Sequence, residues 1–186
     1  WTHYVLRSGH HLNPLIFPGE LELMAETKTN LVHCPWVLTR RGFLMESMQM
    51  YLDKGINVVF GTDTFPQDML NDMRSAATSC KIAESNPFVG TAATVFNMAT
   101  VGAAKAFGRD DLGRLAPGAK ADIVIVDTNN MEFCPYRDPI KILVFTATKH
   151  NIDKVIVDGN LLVEHGKALD DRQEEARKNM QEVADR

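Results

Sequence analysis

The sequence lacks the features that mark several classes of protein. It contains no run of Lys or Arg, and its formal net charge of −4 gives no support for nucleic-acid binding. No apolar stretch approaches the roughly 20 residues of a membrane-spanning helix, so we expect no membrane partner. The three cysteines Cys34, Cys80 and Cys134 are widely spaced, with no CxxC pair. This scattered, odd-numbered set argues against a disulfide framework and favours a cytoplasmic protein.

The remaining composition is that of a globular protein. Hydrophobic residues make up 45% of the 186 residues and charged residues 24%, which is enough apolar material for one ordinary domain with a core. The sequence begins with Trp1 and enters an apolar segment at once. Such a beginning is consistent with the second part of a longer protein.

Residues 1–108 alternate strand-like and helix-like segments. The apolar run at 56–60 is unbroken, as in a strand that is buried on both faces of a parallel sheet. Gly102 is expected to divide the last helical segment. The spacing of the segments is about that of one strand–helix repeat. The pattern predicts strands at 4–6, 30–33 and 56–60, and helices at 20–26, 43–53, 67–84 and 91–107.

Ionisable side chains end three of these strand-like runs. His10, His33 and Asp63 follow one another at intervals of 23 and 30 residues. In (β/α) barrels, the carboxyl ends of the strands form the active site. The spacing therefore suggests part of such a barrel, with these three side chains at its functional edge.

Each of the three residues also has a structural interpretation. Asp63 is suited to bind a divalent metal or to accept a proton from water, but it is equally suited to cap the following loop. His10 and His33 are suited to polarise a substrate or shuttle a proton, although a lone strand-end His is more often structural. Cys34, beside His33, lacks the companions of a catalytic nucleophile and is expected to be a small buried apolar residue.

The pattern of the sequence changes after residue 108. A Pro-Gly turn precedes a predicted strand within residues 113–127. Residues 154–158 and 161–164 predict a hairpin around a Gly159-Asn160 turn. We interpret this region as a small all-β element, followed by a charged terminal helix.

Several stretches together resemble the metal-dependent amidohydrolase superfamily, in its branch of cytosine deaminase-like and chlorohydrolase-like enzymes. That branch acts on aromatic or heterocyclic amines. The resemblance covers almost the whole chain and is most specific where G-x-L-x-P-G-A-K-A-D-I-V follows G-T-D. It is carried by GHH (9–11), ETKTNLVHCP (26–35), KGINVVFGTD (54–63), DDLGRLAPGAKADIVIVD (110–127) and VDGNLLVEHGK (157–167).

The resemblance implies roles for the three strand-end residues. Asp63 matches the strand-eight metal ligand and proton acceptor. His10 matches the strand-six histidine that hydrogen-bonds the attacking hydroxide or the substrate, and His33 matches a strand-seven position bordering the substrate pocket. The implied cofactor is one divalent metal ion, zinc or iron, whose other ligands are expected outside this chain.

The resemblance also implies an architecture. Residues 1–108 are expected to form part of a (β/α)8 metallo-dependent hydrolase barrel, with strands six to eight and their helices. Residues 109–169 are expected to supply strands of a small β-sandwich domain, and residues 170–186 a C-terminal helix. The implied partners are a small-molecule substrate and either a second copy of the chain or the missing portion of the enzyme.

The departures from the family pattern limit the expected activity. The family's H-x-H pair on strand one has no counterpart here. The strand-seven motif reads HCPWVLTRRG, whereas HNPxSN is common among deaminases. We predict a hydrolase of non-peptide C–N bonds in cyclic or aromatic substrates, inherited from a longer enzyme and inactive as this chain alone. The alternatives are a non-catalytic barrel remnant or one chain of a split enzyme.

Overall fold

The computed structural model describes residues 18–63, 65–170 and 172–185. The predicted strand at 4–6 and His10 therefore lie outside the described residues. The helices are α1 Glu20–Glu26, α2 Pro35–Thr39, α3 Met48–Asp53, α4 Met69–Ala83, α5 Ala92–Ala99, α6 Val101–Ala106, α7 Pro139–Phe145 and α8 Arg172–Ala184. The strands are β1 Leu31–His33, β2 Val58–Phe60, β3 Ile123–Val126, β4 Ile152–Val157, β5 Asn160–Glu164 and β6 Lys167–Ala168.

A parallel strand pair organises the first part of the chain. β1 pairs with β2 in parallel, with Leu31 opposite Val58 and His33 opposite Phe60. Every residue of β2 is buried. The sequence-based prediction of a strand buried on both faces of a parallel sheet is therefore confirmed, although the strand begins at Val58 rather than at residue 56.

The amino ends of these strands are joined by an asparagine pair. Asn57 Nδ2 donates to Asn30 Oδ1 at 2.7 Å and to the Gly102 carbonyl at 3.0 Å. The backbone N–H of Leu31 donates to the Asn57 carbonyl at 2.9 Å. One side chain thus fastens the starts of β1 and β2 to helix α6.

The hydrophobic core lies between the strand pair and the helices. Helix α4 begins where Asp68 accepts the N–H of Asn71, and it turns Met73, Ala76, Ala77 and Cys80 inward. Met69, which the sequence pattern places on this inner stripe, is 37% exposed. Residues from most elements complete the cluster, among them Leu31, Met48, Tyr51, Val58, Val95, Met98 and Val144.

Several helix boundaries differ from the predicted ones for identifiable reasons. Helix α3 begins at Met48, not at residue 43, because Ser47 Oγ accepts the N–H of Met50 as a cap. The break between α5 and α6 falls at Thr100, whose backbone leaves the helical region, rather than at Gly102. Gly102 lies within α6, where a Cβ would approach the Asn97 carbonyl to 3.0 Å. Close packing, rather than helix breaking, explains this glycine.

The sequence analysis did not predict two short helices that begin with proline. Helices α2 and α7 start at Pro35 and Pro139, and proline is well suited to the first helical position. Asp138 caps α7 by accepting the N–H of Lys141 at 3.0 Å. A run of five or seven residues is too short for its periodicity to be recognised.

An antiparallel sheet follows the helical region, but the region after residue 108 is not all-β as predicted, because helix α7 lies between β3 and β4. Its strand order is β3-β4-β5-β6. The β4–β5 hairpin is confirmed, but its turn is formed by Asp158 and Gly159, both at positive φ, rather than by Gly159 and Asn160. Two successive positive φ angles are what a type I′ turn requires. Apolar side chains of this sheet are exposed, including those of Val124 and Leu162.

Helix α8 is the predicted charged helix, and none of its described residues is buried. Across the described part of the chain, no helix combines the length and apolar character needed to cross a bilayer.

A glycine that follows α4 provides a stability test. Gly90 has φ +51°, and a Cβ at this position would overlap the Cys80 sulfur. In the complete protein, Gly90→Ala is expected to lower the free energy of unfolding by about 3 kcal/mol, because backbone strain adds to the steric clash. Gly108→Ala is the matched control, since Gly108 has φ +67° with no atom within 4 Å of the added Cβ. It should lose only about 1 kcal/mol in urea denaturation, and equal losses for the two variants would contradict the packing argument.

Candidate active site

The carboxyl ends of β1 and β2 lie side by side. Because the strands are parallel and His33 is opposite Phe60, the segments that leave both strands emerge at one edge of the sheet. The N–H of Gly61 donates to the His33 carbonyl at 3.0 Å, which extends the pairing beyond the strands. This edge brings the predicted site residues His33 and Asp63 into neighbouring segments.

Asp63 ends the segment that leaves β2. Its backbone is in the left-handed region at φ 54°, which is uncommon for a residue other than glycine but accessible to aspartate. Its side chain is exposed in this part of the enzyme. The cap of the following helix is Asp68. Asp63 is therefore not the residue that caps α4.

His33 lies at the end of β1 and is buried, with 4% of its surface exposed. Burial lowers the pKa of the imidazole to about 4, so the ring is neutral at physiological pH. Its ring is tilted by 41° against that of Phe60, with 6.2 Å between the centroids. Its Nδ1 atom is buried and has no hydrogen-bond partner. A neutral ring with an unused nitrogen retains the capacity to donate or accept one hydrogen bond.

Cys34 is half-buried next to His33. Burial, with smaller effects from Asp63 and Asp72, raises the pKa of its thiol to about 11. A thiol that stays protonated at neutral pH is a poor nucleophile, in agreement with the sequence-based interpretation. A Cβ on Gly61 would lie 3.2 Å from the Cys34 sulfur and 2.9 Å from Val32 Cγ1. The two strand ends are therefore closely packed at Gly61.

The sequence analysis missed Asp72. This residue lies in the first turns of α4 and is fully buried. Its Oδ1 accepts the backbone N–H of Trp36 at 3.1 Å, while its Oδ2 has no hydrogen-bond partner. Burial raises the pKa of the carboxyl to about 6. The only sequence signal is a carboxylate beside Met73, on the inner stripe of an amphipathic helix.

The described residues contribute one carboxylate to the metal site predicted from the sequence. Within residues 18–63, 65–170 and 172–185, no three His, Cys, Asp or Glu side chains are gathered in a metal-binding arrangement. Asp63 fits one position of such a site, because its exposed carboxylate offers a hard oxygen ligand. His10 lies outside the described residues.

A surface groove lies at the opposite end of β2. Its lining includes Ile56, Asn57 and Lys105. Ile56 and Asn57 directly precede β2 and Lys105 lies in α6, so the groove is separate from the edge that carries Asp63. We assign no chemistry to it.

Comparison with known proteins identifies the family. The profile of the amidohydrolase family matches residues 2–162. This chain belongs to the amidohydrolase family. The matched range includes the stretches at 54–63 and 110–127, on which the resemblance in the sequence rests.

Known relatives of this amidohydrolase are similar over most of its length. A 5-methylthioadenosine/S-adenosylhomocysteine deaminase from Acetivibrio thermocellus is 30% identical over 173 residues, which cover 90% of this chain and 40% of that protein. The HCPWVL segment therefore coexists with overall similarity to a nucleoside deaminase. The chain spans 40% of the length of this relative.

Solved structures of amidohydrolases are also similar to most of this chain. The crystal structure of an adenosine deaminase from Xanthomonas campestris with bound zinc superposes with a TM-score of 0.83 at 26% identity, covering 91% of this chain and 40% of that one. The zinc complex of atrazine chlorohydrolase from Arthrobacter aurescens gives 0.77 at 28% identity, covering 93% and 39%. This amidohydrolase chain therefore shares the mixed α/β metallo-dependent hydrolase fold of these proteins.

Proposed function

We propose that the complete protein hydrolyses a non-peptide C–N bond in a cyclic or aromatic substrate. The observation that carries this proposal is Asp63, an exposed carboxylate at the carboxyl end of a fully buried strand. Polar side chains at this end of parallel strands are the catalytic ones in barrel enzymes. The similarity to deaminases over most of the chain supports the same reaction class.

The proposed architecture follows the family. Residues 1–108 would supply strands six to eight of a (β/α)8 barrel, residues 109–169 strands of a small β-sandwich, and residues 170–186 a C-terminal helix. The parallel β1–β2 pair and the separate antiparallel sheet support two parts, although helix α7, within residues 109–169, contributes Val144 to the core of the first part. A second copy of the chain or the missing portion of the enzyme would cover the open edges of the parallel pair.

We propose one divalent metal ion, zinc or iron, in the complete site. Asp63 would contribute one oxygen ligand, and the other ligands would come from the rest of the protein. Two similar structures contain zinc, which supports the choice of a divalent ion. When bound, such a metal lowers the pKa of water towards about 7 and so supplies a nucleophile at neutral pH.

The chain's own residues would handle protons and substrate. Asp63 would accept the proton of the attacking water and deliver it to the departing amine, which leaves as ammonia. Its exposure keeps the carboxylate within reach of both groups. His10 would hydrogen-bond the attacking water or the substrate, and His33 would border the pocket. The neutral ring of His33 suits an uncharged aromatic substrate.

We propose a 6-aminopurine nucleoside as the first substrate class to test, because the similar proteins include methylthioadenosine and adenosine deaminases. The complete protein is expected to release ammonia from 5-methylthioadenosine and to lose this activity on treatment with a chelator. Atrazine, followed by chloride release, tests the chlorohydrolase alternative. Absence of turnover of both substrates by the zinc-loaded and iron-loaded protein would refute the assignment.

A cytoplasmic location is also part of the proposal. The three thiols of Cys34, Cys80 and Cys134 are unpaired, as expected in a reducing compartment.

A further inference from the structure

Helix α2 begins without a cap from its own sequence. Its N-cap residue is Cys34, whose side chain makes no capping hydrogen bond. Pro35, at the first helical position, has no N–H. The first free N–H of the helix is therefore that of Trp36, and it is bound by the Asp72 carboxylate from α4. We call this contact between Asp72 and Trp36 the remote cap.

The remote cap is energetically less favourable than a local N-cap would be. Serine or aspartate at the N-cap would satisfy the same N–H at the surface. Asp72 is instead completely buried, and one of its oxygens has no hydrogen-bond partner. A buried carboxyl with an unused oxygen costs free energy, and such groups are concentrated at functional sites.

Buried polar atoms without partners are concentrated here. Among the described residues, the buried side-chain N and O atoms that lack a hydrogen bond are His33 Nδ1, Trp36 Nε1 and Asp72 Oδ2. Two of them belong to residues 33–36, and the third belongs to the carboxylate that binds this segment. The three atoms lie on three residues, and two of these, Trp36 and Asp72, form the remote cap.

The segment held by the remote cap is coupled to both strand ends. His33 immediately precedes Cys34, and the His33 carbonyl accepts the N–H of Gly61. The Cys34 sulfur packs where a side chain on Gly61 would lie. A shift at Cys34 would therefore displace His33 and Gly61, and Gly61 lies two residues before Asp63.

We propose that Asp72 is a positioning residue for the substrate pocket. By capping Trp36 it fixes the turn at residues 34–36, and through this turn it holds His33 at the edge where substrate binds. This inference rests on the proposed function. Asp72 does not contact the reacting atoms, so its loss should weaken substrate binding more than it slows the chemical step.

The test uses the complete enzyme with 5-methylthioadenosine and ammonia release as the assay. Asp72→Ala is expected to raise KM by about tenfold while kcat falls by less than about threefold, the pattern of lost ground-state binding. Asp72→Asn keeps an oxygen that accepts the Trp36 N–H, so its KM should stay within about threefold of wild type. Ser47→Ala, which removes the cap of α3 instead of that of α2, is the matched control and should leave KM unchanged.

A second-site rescue separates positioning from general destabilisation. Cys34→Ser supplies a local cap for α2. The KM of the Cys34→Ser/Asp72→Ala double variant should therefore return most of the way to the wild-type value. The rescue also keeps the proposal testable if Asp72→Ala alone folds poorly. The proposal would be overturned if Asp72→Ala had the same KM as the Ser47→Ala control. It would also be overturned if Asp72→Asn raised KM as much as Asp72→Ala does.

Failure of this inference is distinguishable from failure of the proposed function. An active wild type with an unaffected Asp72→Ala variant refutes the positioning role alone. A wild type that turns over neither 5-methylthioadenosine nor atrazine refutes the proposed function, and hydrogen exchange at the Trp36 amide then tests the remote cap directly. We expect faster exchange in Asp72→Ala than in Asp72→Asn, and equal rates would overturn the inference.

Discussion

Replacing Asp63 by Asn in the complete enzyme should reduce kcat by about 1,000-fold, within the range that general acid–base catalysis contributes. Asparagine keeps the size of the side chain and one of its oxygens, but it cannot take up the proton of the attacking water. It is also a weaker ligand for a divalent metal, because it carries no negative charge. The measurement is ammonia release under saturating substrate, together with the metal content of the purified variant.

The matched control for this variant is Asp68→Asn. Asp68 lies five residues further along and caps α4, a role that asparagine fills equally well. The two variants lose the same charge from the same loop region. We expect Asp68→Asn to retain kcat, and near-normal turnover by Asp63→Asn would disprove the role of Asp63 as proton acceptor.

The 186-residue chain, produced by itself, should show no turnover and should self-associate. A catalytic divalent metal needs about three protein ligands, and the described residues contain no group of three. Three of the eight barrel strands would also leave an edge of the parallel sheet open to other strands. Exposed apolar side chains such as Val124 and Leu162 add to the tendency to associate.

Ammonia release and light scattering should be compared for this chain and the complete enzyme at equal concentration. Full turnover by the chain alone would refute the expectation. Addition of the remaining portion as a separate polypeptide distinguishes the alternatives. Restored activity would support a split arrangement, whereas continued inactivity beside an active complete enzyme would show that the parts must be joined.

The sequence predicted those features that depend on local pattern. The strand at β2 could be recognised because its apolar residues are consecutive, and Asp63 because a carboxylate follows that run. The start of α3 was missed because the single hydroxyl of Ser47 outweighs the apolar pattern that begins five residues earlier. The local sequence pattern thus predicted that these elements exist more reliably than it predicted where they begin and end.

Asp72 could not be predicted in this way. Its burial depends on the backbone N–H of Trp36, which lies 36 residues earlier in the chain. No periodicity within α4 indicates that partner, because the contact arises only when α2 and α4 pack together. The same limit applies to His33, whose burial and unpartnered Nδ1 are properties of the packed strand end.

The asparagine link at the amino ends of the strands bears on how such an enzyme can diverge. Asn57 joins Asn30 and Gly102 at the end of the sheet away from Asp63, so the fastening of the strands does not depend on the segments that follow them. Mutations of exposed residues in those segments can therefore alter substrate preference without loosening the fold. Laboratory evolution of new specificity should randomise the exposed residues Arg40, Arg41 and Glu46 and leave Asn30, Asn57 and the remote cap intact.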